Sequence, residues 1–250
     1  MQAYTFRLFT FFEAIDKTAS LGLHTIESYP GQTLSAEHGD ATIQHHMDAE
    51  LIPAVKAKLA GAGVTLACYG VVGLGTDEAE ARAVFEFAKA MGIETVVSEP
   101  DEAAFDLVEK LIEEYGIPVA IHNHPKPSHY WNPDTVLTAC EGRSPMIGSC
   151  ADTGHWMRSG VDPLEALQKL EGRIRSVHLK DLDKFGAGMD CHDMPFGRGV
   201  GDVKAWLLEL RRQGVRTVLS MEYEHKWENS LPELAECVRF VEQLAKETAG

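Results

Sequence analysis

Short β-rich runs alternate with longer helix-period runs through eight rounds of this chain, and no other feature constrains its fold as tightly. The strand candidates are Ala3 to Phe9, Thr25 to Tyr29, Val64 to Tyr69, Thr95 to Ser98, Pro118 to His122, Met146 to Cys150, Ile174 to Leu179 and Thr217 to Tyr223. Each is followed by a helix candidate. Eight such units in 250 residues predict α/β architecture in the form of a single (β/α)8 TIM barrel, one domain over residues 1–250.

The helices carry their own punctuation. Asp77 and Glu80 read as a capping box ahead of the stripe Ala81, Val84, Phe85 and Ala88, and Leu107, Val108, Leu111, Ile112 and Tyr115 form the next stripe. Asn132-Pro133 and Asp162-Pro163 each place a cap residue before a proline at the first helical position. Val203, Trp206, Leu207 and Leu210 precede Gly214, and Ser230 with Glu233 opens the last helix. These stripes are the faces that pack on a barrel, and they establish architecture only. Lys184 to Gly201 is a long glycine-rich stretch after the seventh strand, where barrel loops commonly serve the site.

Four strand-like runs end in a side chain able to bind metal: Val97-Ser98-Glu99, Ser149-Cys150-Ala151-Asp152, Ser176-Val177-His178 and Leu219-Ser220-Met221-Glu222. A parallel barrel delivers every strand's C-terminal end to one open face, so three carboxylates and one imidazole can converge there. Glu222 and Glu224 share a face by parity, and alternation alone does not choose between them.

Cys150-Ala151-Asp152-Thr153-Gly154-His155 and Val177-His178-Leu179-Lys180-Asp181, with Ile26-Glu27, Ser98-Glu99-Pro100, Ile121-His122-Asn123-His124 and Met221-Glu222, carry a resemblance to a known family. Over essentially its whole length the chain resembles the xylose isomerase-like barrels of the sugar phosphate isomerase/epimerase superfamily. The resemblance implies one divalent ion on Glu99, Asp152, His178 and Glu222. Three oxygen donors with one imidazole favour Mn, Co or Mg, with Zn a further option. It also implies a sugar or keto-sugar substrate and proton abstraction beside a carbonyl through an ene-diolate, with Glu99 or Glu222 as base; His122 and His124 share parity at the fifth strand end, where one can shuttle protons, His124 being the catalytic candidate, and the other steer a hydroxyl. Glu27, His122, His155, Lys180, His192 and Arg198 are the expected substrate contacts.

The shared first step leaves the outcome open among isomerase, epimerase and a lyase that performs β-elimination on a 3-keto-glycoside, for which His122, His124 and His155 offer general acids. Asp190-Cys191-His192 resembles the ligand pair that the DNA-repair endonuclease branch uses for extra zinc ions, which makes an apurinic-site-type endonuclease a more distant alternative. A non-catalytic sugar-binding barrel would keep the aromatic residues without needing all four ligands. The acidic, aromatic stretch Glu222 to Trp227 occupies the place where barrels usually seat a phosphate, so an unphosphorylated sugar is expected, with Trp227, Trp156, Trp131 and Tyr69 as candidate stacking platforms.

Composition narrows the partners. Lys and Arg total 23 against 38 Asp and Glu, a formal charge of −15, which argues against a nucleic-acid substrate. No apolar run approaches the ~20 residues of a membrane span. Five cysteines without a CxxC pair suggest a reducing, cytoplasmic setting. The first strand candidate begins only three residues in, so an exported mature protein with its leader removed is the other expectation. Homo-oligomers are common among the proteins it resembles.

Overall fold

The structure, a computed structural model, describes residues 1–248. Seven strands, Thr25–Ser28, Thr65–Val72, Thr95–Ser98, Val119–His122, Ile147–Asp152, Ile174–Leu179 and Leu219–Met221, form one parallel sheet in that order. The central strands are apolar and buried along nearly their whole length, as expected of a sheet covered on one side by helices and filled on the other by its own side chains. The result is a nearly closed TIM barrel.

The N-terminal segment departs from the strand expected over Ala3 to Phe9. Ala3–Phe6 is a turn of 3-10 helix, followed by the α-helix Phe11–Ser20. The signal was Thr10-Phe-Phe-Glu13: the Thr10 side chain accepts the Glu13 N–H while the Glu13 carboxylate accepts the Thr10 N–H, a reciprocal capping box. Met1 and Gln2 bridge the seam between the last and first strands through the backbone. Gln2 N donates to Met221 O at 2.9 Å and Glu27 N to Met1 O at 2.8 Å.

Strand register sets the site. Asp152 is paired with His178, and Ser220 with His178 on its other side, so the ends of three adjacent strands stand level. His122 closes the neighbouring strand opposite Cys150, two residues before Asp152 and of the same parity. The helix Thr153–Ser159 starts directly after Asp152.

The stretch after the sixth sheet strand is ordered by one carboxylate. Asp181–Leu182 pairs antiparallel with Asp193–Met194, and Asp181 accepts the N–H groups of Gly197, Gly199 and Gly201 at 2.9, 3.0 and 3.0 Å. A Cβ at Gly199 would fall 2.2 Å from Asp181 Oδ1, so this approach requires glycine. All five cysteines are buried and free, and no described helix is long and apolar enough to cross a membrane.

Candidate active site

His178 is buried, and its two ring nitrogens have separate tasks. Nε2 lies 2.9 Å from Glu27 Oε1, and the other Glu27 oxygen accepts the Ser220 hydroxyl at 2.6 Å. A carboxylate on Nε2 fixes the tautomer and turns Nδ1 toward the mouth. There it stands 3.1 Å from Glu222 Oε2 and 3.7 Å from Asp152 Oδ2. Glu27 therefore supports the imidazole from behind and does not line the cavity.

Asp152 is divided in the same way. Oδ1 accepts the His155 N–H at 2.7 Å and caps the helix, while Oδ2 is buried among cationic and imidazole groups. Around Asp152 Oδ2 stand His122 Nε2 at 3.5 Å, His155 Nε2 at 3.6 Å and Lys180 Nζ at 3.0 Å. His122, Asp152 and His178 form a buried cluster able to hold a metal ion.

Glu99 sits elsewhere than the strand-end pattern suggested. It lies one residue past its strand and accepts the His124 N–H at 3.0 Å and the Ser128 hydroxyl at 2.9 Å. Its Oε1 is 2.5 Å from His124 Nδ1 and 3.3 Å from His122 Nδ1. It is a carboxylate behind two imidazoles, and His122 takes the position facing Asp152.

The charges are interlocked. Burial opposes the charge on His178, yet Cys150, Glu27 and Glu222 together hold its imidazole well above the ordinary value. Burial also opposes ionisation of Asp152, but His155 and Lys180 beside it hold the carboxyl well below its usual range. Glu222, against the same burial, is brought to about 2 by Lys180 and His178. His155 is pushed well below its ordinary value chiefly by burial, and its Nδ1 accepts from Arg158 at 3.0 Å.

Lys180, expected to touch substrate, is 1% exposed and committed to carboxylates. Its ammonium lies 3.0 Å from Glu222 Oε2 and donates to Glu224 Oε1 at 2.7 Å. Its stem passes over Gly154, where a Cβ would meet Lys180 Cβ and Cδ at 2.7 Å. Arg158 donates to Glu224 Oε2 at 3.0 Å and stands 3.6 Å from Asp193. Sequence reasoning missed Arg158 and Asp193, because nothing in a helix interior or a long loop announces a charge network beneath a site.

Above these groups opens a cavity of about 370 Å³. Its floor and walls include His122, His124, His155, His178, Glu222 and Glu224, and its apolar rim is Tyr4, Tyr29, Pro30, Val71, Pro125 and Met189. The expected stacking platforms are not part of this lining: Trp156 and Tyr69 are buried, and Trp131 lies under Lys126. Trp227 packs edge-on to Tyr4, and Tyr4 and Tyr29 line the cavity in its place. His192 is exposed and stacked on His225, and Arg198 pairs with Glu236 at 2.8 Å. Neither belongs to the cavity lining. Asp190 is paired with Lys184 at 3.1 Å, away from the buried cluster.

Residues 15–244 match the sequence profile of the xylose isomerase-like TIM barrel family. The chain belongs to that family. An uncharacterized protein from Parabacteroides distasonis is 35% identical, with 97% of each chain covered and a TM-score of 0.78. A D-tagatose 3-epimerase-like protein is 15% identical over 100% of this chain and 97% of its own, with a TM-score of 0.76. An L-ribulose 3-epimerase is 15% identical over 99% of this chain and 94% of its own, with a TM-score of 0.72. At 15% identity the two epimerase structures establish shared fold alone. No curated protein matches the chain.

Proposed function

We propose that this xylose isomerase-like barrel is a divalent-metal-dependent isomerase or epimerase of an unphosphorylated sugar or keto-sugar. The observation that carries the reading is the buried cluster of His122, Asp152 and His178 beneath the cavity, with Asp152 Oδ2 3.5 Å from His122 Nε2 and 3.7 Å from His178 Nδ1. Asp152 Oδ2 is held by the Lys180 ammonium at 3.0 Å, and a divalent cation would give it and the neighbouring imidazole nitrogens one common partner. Donor atoms on one ion with bonds of ~2.1 Å stand roughly 3.0–3.5 Å apart, close to the 3.5 Å from His122 Nε2 to Asp152 Oδ2 and the 3.1 Å from His178 Nδ1 to Glu222 Oε2.

The donor set fits a metal but shifts the expected identity. With His122 in place of Glu99 the shell has two imidazoles and two carboxylates, which suits Mn, Co or Zn better than Mg. Held by His122, Asp152, His178 and Glu222, such an ion would supply Lewis acidity beside the substrate carbonyl.

The chain's own residues handle the proton. Glu222 lines the cavity with its carboxylate kept ionised by Lys180 and His178, so it can remove a proton from the carbon beside the carbonyl. His124 lines the same cavity with Nδ1 held by Glu99, leaving Nε2 to exchange a proton from a second direction. Two proton-handling groups on different walls suit return of the proton to a neighbouring carbon or to the opposite face. The apolar rim of Tyr4 and Tyr29 suits the C–H face of a sugar. Arg158 is the cation of the lining, and it is neutralised by Glu224, which supports a substrate without phosphate. The lyase reading shares the first step and would draw its acid from His124.

Metal-stripped protein titrated with manganese tests the reading. It predicts one-to-one uptake at the mouth that is lost in Asp152→Asn and His178→Ala together with turnover. Uptake and turnover unchanged in both variants would overturn it.

A further inference from the structure

A second cluster stands outside the cavity. His45, His46 and Glu80 each bring one donor atom to within 4.8 Å of the others. The histidines lie in the connection between the strand Thr25–Ser28 and the helix Ile52–Ala62, and Glu80 lies in the first turn of the helix Glu78–Met91. His46 Nε2 is 2.8 Å from Glu80 Oε2, and the two imidazole rings are 4.3 Å apart between centroids.

His45 is held from the core. Its Nδ1 is 2.8 Å from the Tyr69 hydroxyl, which also accepts the His45 backbone N–H at 3.3 Å. Tyr69 is itself fixed, buried and packed edge-on against Phe87 at 4.9 Å. In the tautomer that gives Nδ1–H to Tyr69, Nε2 presents its lone pair outward, the arrangement in which an outer partner orients a metal-ligating histidine.

We propose that His45, His46 and Glu80 form a peripheral site for a borderline divalent transition ion, zinc foremost. Two imidazole nitrogens and one carboxylate oxygen suit zinc, nickel or copper, whereas magnesium and calcium require more oxygen donors. None of the three residues lines the cavity. A bound ion would tie the loop carrying His45 and His46 to the helix carrying Glu80. Tyr69, which orients His45, directly precedes Gly70 and Val71 of the cavity wall.

The test is calorimetric titration of zinc chloride into the chelator-stripped full chain, compared with His46→Ala and Glu80→Gln. Both substitutions fall on exposed side chains and leave the core intact. The wild type should take up one equivalent more than His46→Ala, with Glu80→Gln weakening that same step at least ~10-fold and magnesium failing to fill it. The difference should persist in an Asp152→Asn background, which separates this site from the mouth cluster whether or not the latter binds metal. Equal zinc uptake by the wild type and His46→Ala, adventitious binding only, would overturn the proposal.

Discussion

Glu99 stands behind His122: its Oε1 lies 3.3 Å from His122 Nδ1, while His122 Nε2 faces Asp152 Oδ2 at 3.5 Å. In the proposed site Glu99 is thereby an orienting carboxylate, and the imidazole it supports would be the donor. Glu99→Gln should weaken metal binding ~10–100-fold, as loss of an outer partner does, and Asp152→Asn should weaken it further. Calorimetric titration with manganese checks the ranking. Equal losses in the two variants would return Glu99 to the ion's immediate shell.

Lys180 keeps Glu222 ionised against its burial. In Lys180→Met that restraint is gone, and burial raises the Glu222 value. Activity that needs ionised Glu222 is lost as pH falls through its pKa, so the acid limb of the pH–rate profile should move to higher pH in the variant. An unmoved limb would show that Glu222 is not the titrating base.

Asp193 couples the loop beneath the site to stability. Burial raises its carboxyl to about 7. The unfolded value is ~3.9, so at intermediate pH the folded chain holds a proton that the unfolded chain has released. The resulting stability is fully present below pH ~4 and is lost as pH climbs through about 7, a few kcal/mol at most. Asp193→Asn should flatten this part of the curve in urea titrations of metal-stripped protein from pH 4 to 8.

Gly154 leaves room for the Lys180 stem. Gly154→Ala places a methyl 2.7 Å from two Lys180 carbons, both buried. Overpacking of this kind costs ~1–3 kcal/mol. Denaturant unfolding should register the loss, and turnover should fall with it as the ammonium is pushed off Asp152 and Glu222.

Seven of the eight expected strands fall on sheet strands because alternation between short apolar runs and helical stripes survives in any buried parallel barrel. The first failed because Tyr4, Phe6 and Leu8 alternate like a strand, while Thr10 and Glu13 carried the contrary helix signal. At the site, Asp152, His178 and Glu222 are legible as strand ends that register brings level. Glu99 and His122 are not separable in this way. Both are polar residues at the ends of neighbouring strands, and a one-residue difference in where a strand stops decides which side chain faces inward. The Trp156 platform failed for another reason. In the helix that Asp152 caps, residues alternate between mouth and core on a helical period, and His155 faces the mouth while Trp156 is buried in the core.

Proton exchange is the most direct test of the central claim. Manganese-loaded protein incubated with keto-hexoses in deuterated water, followed by NMR, should place deuterium on the carbon beside the carbonyl and form a rearranged sugar. Glu222→Gln should abolish both. Absence of exchange with every keto-sugar, in protein that has bound its metal, would contradict the account.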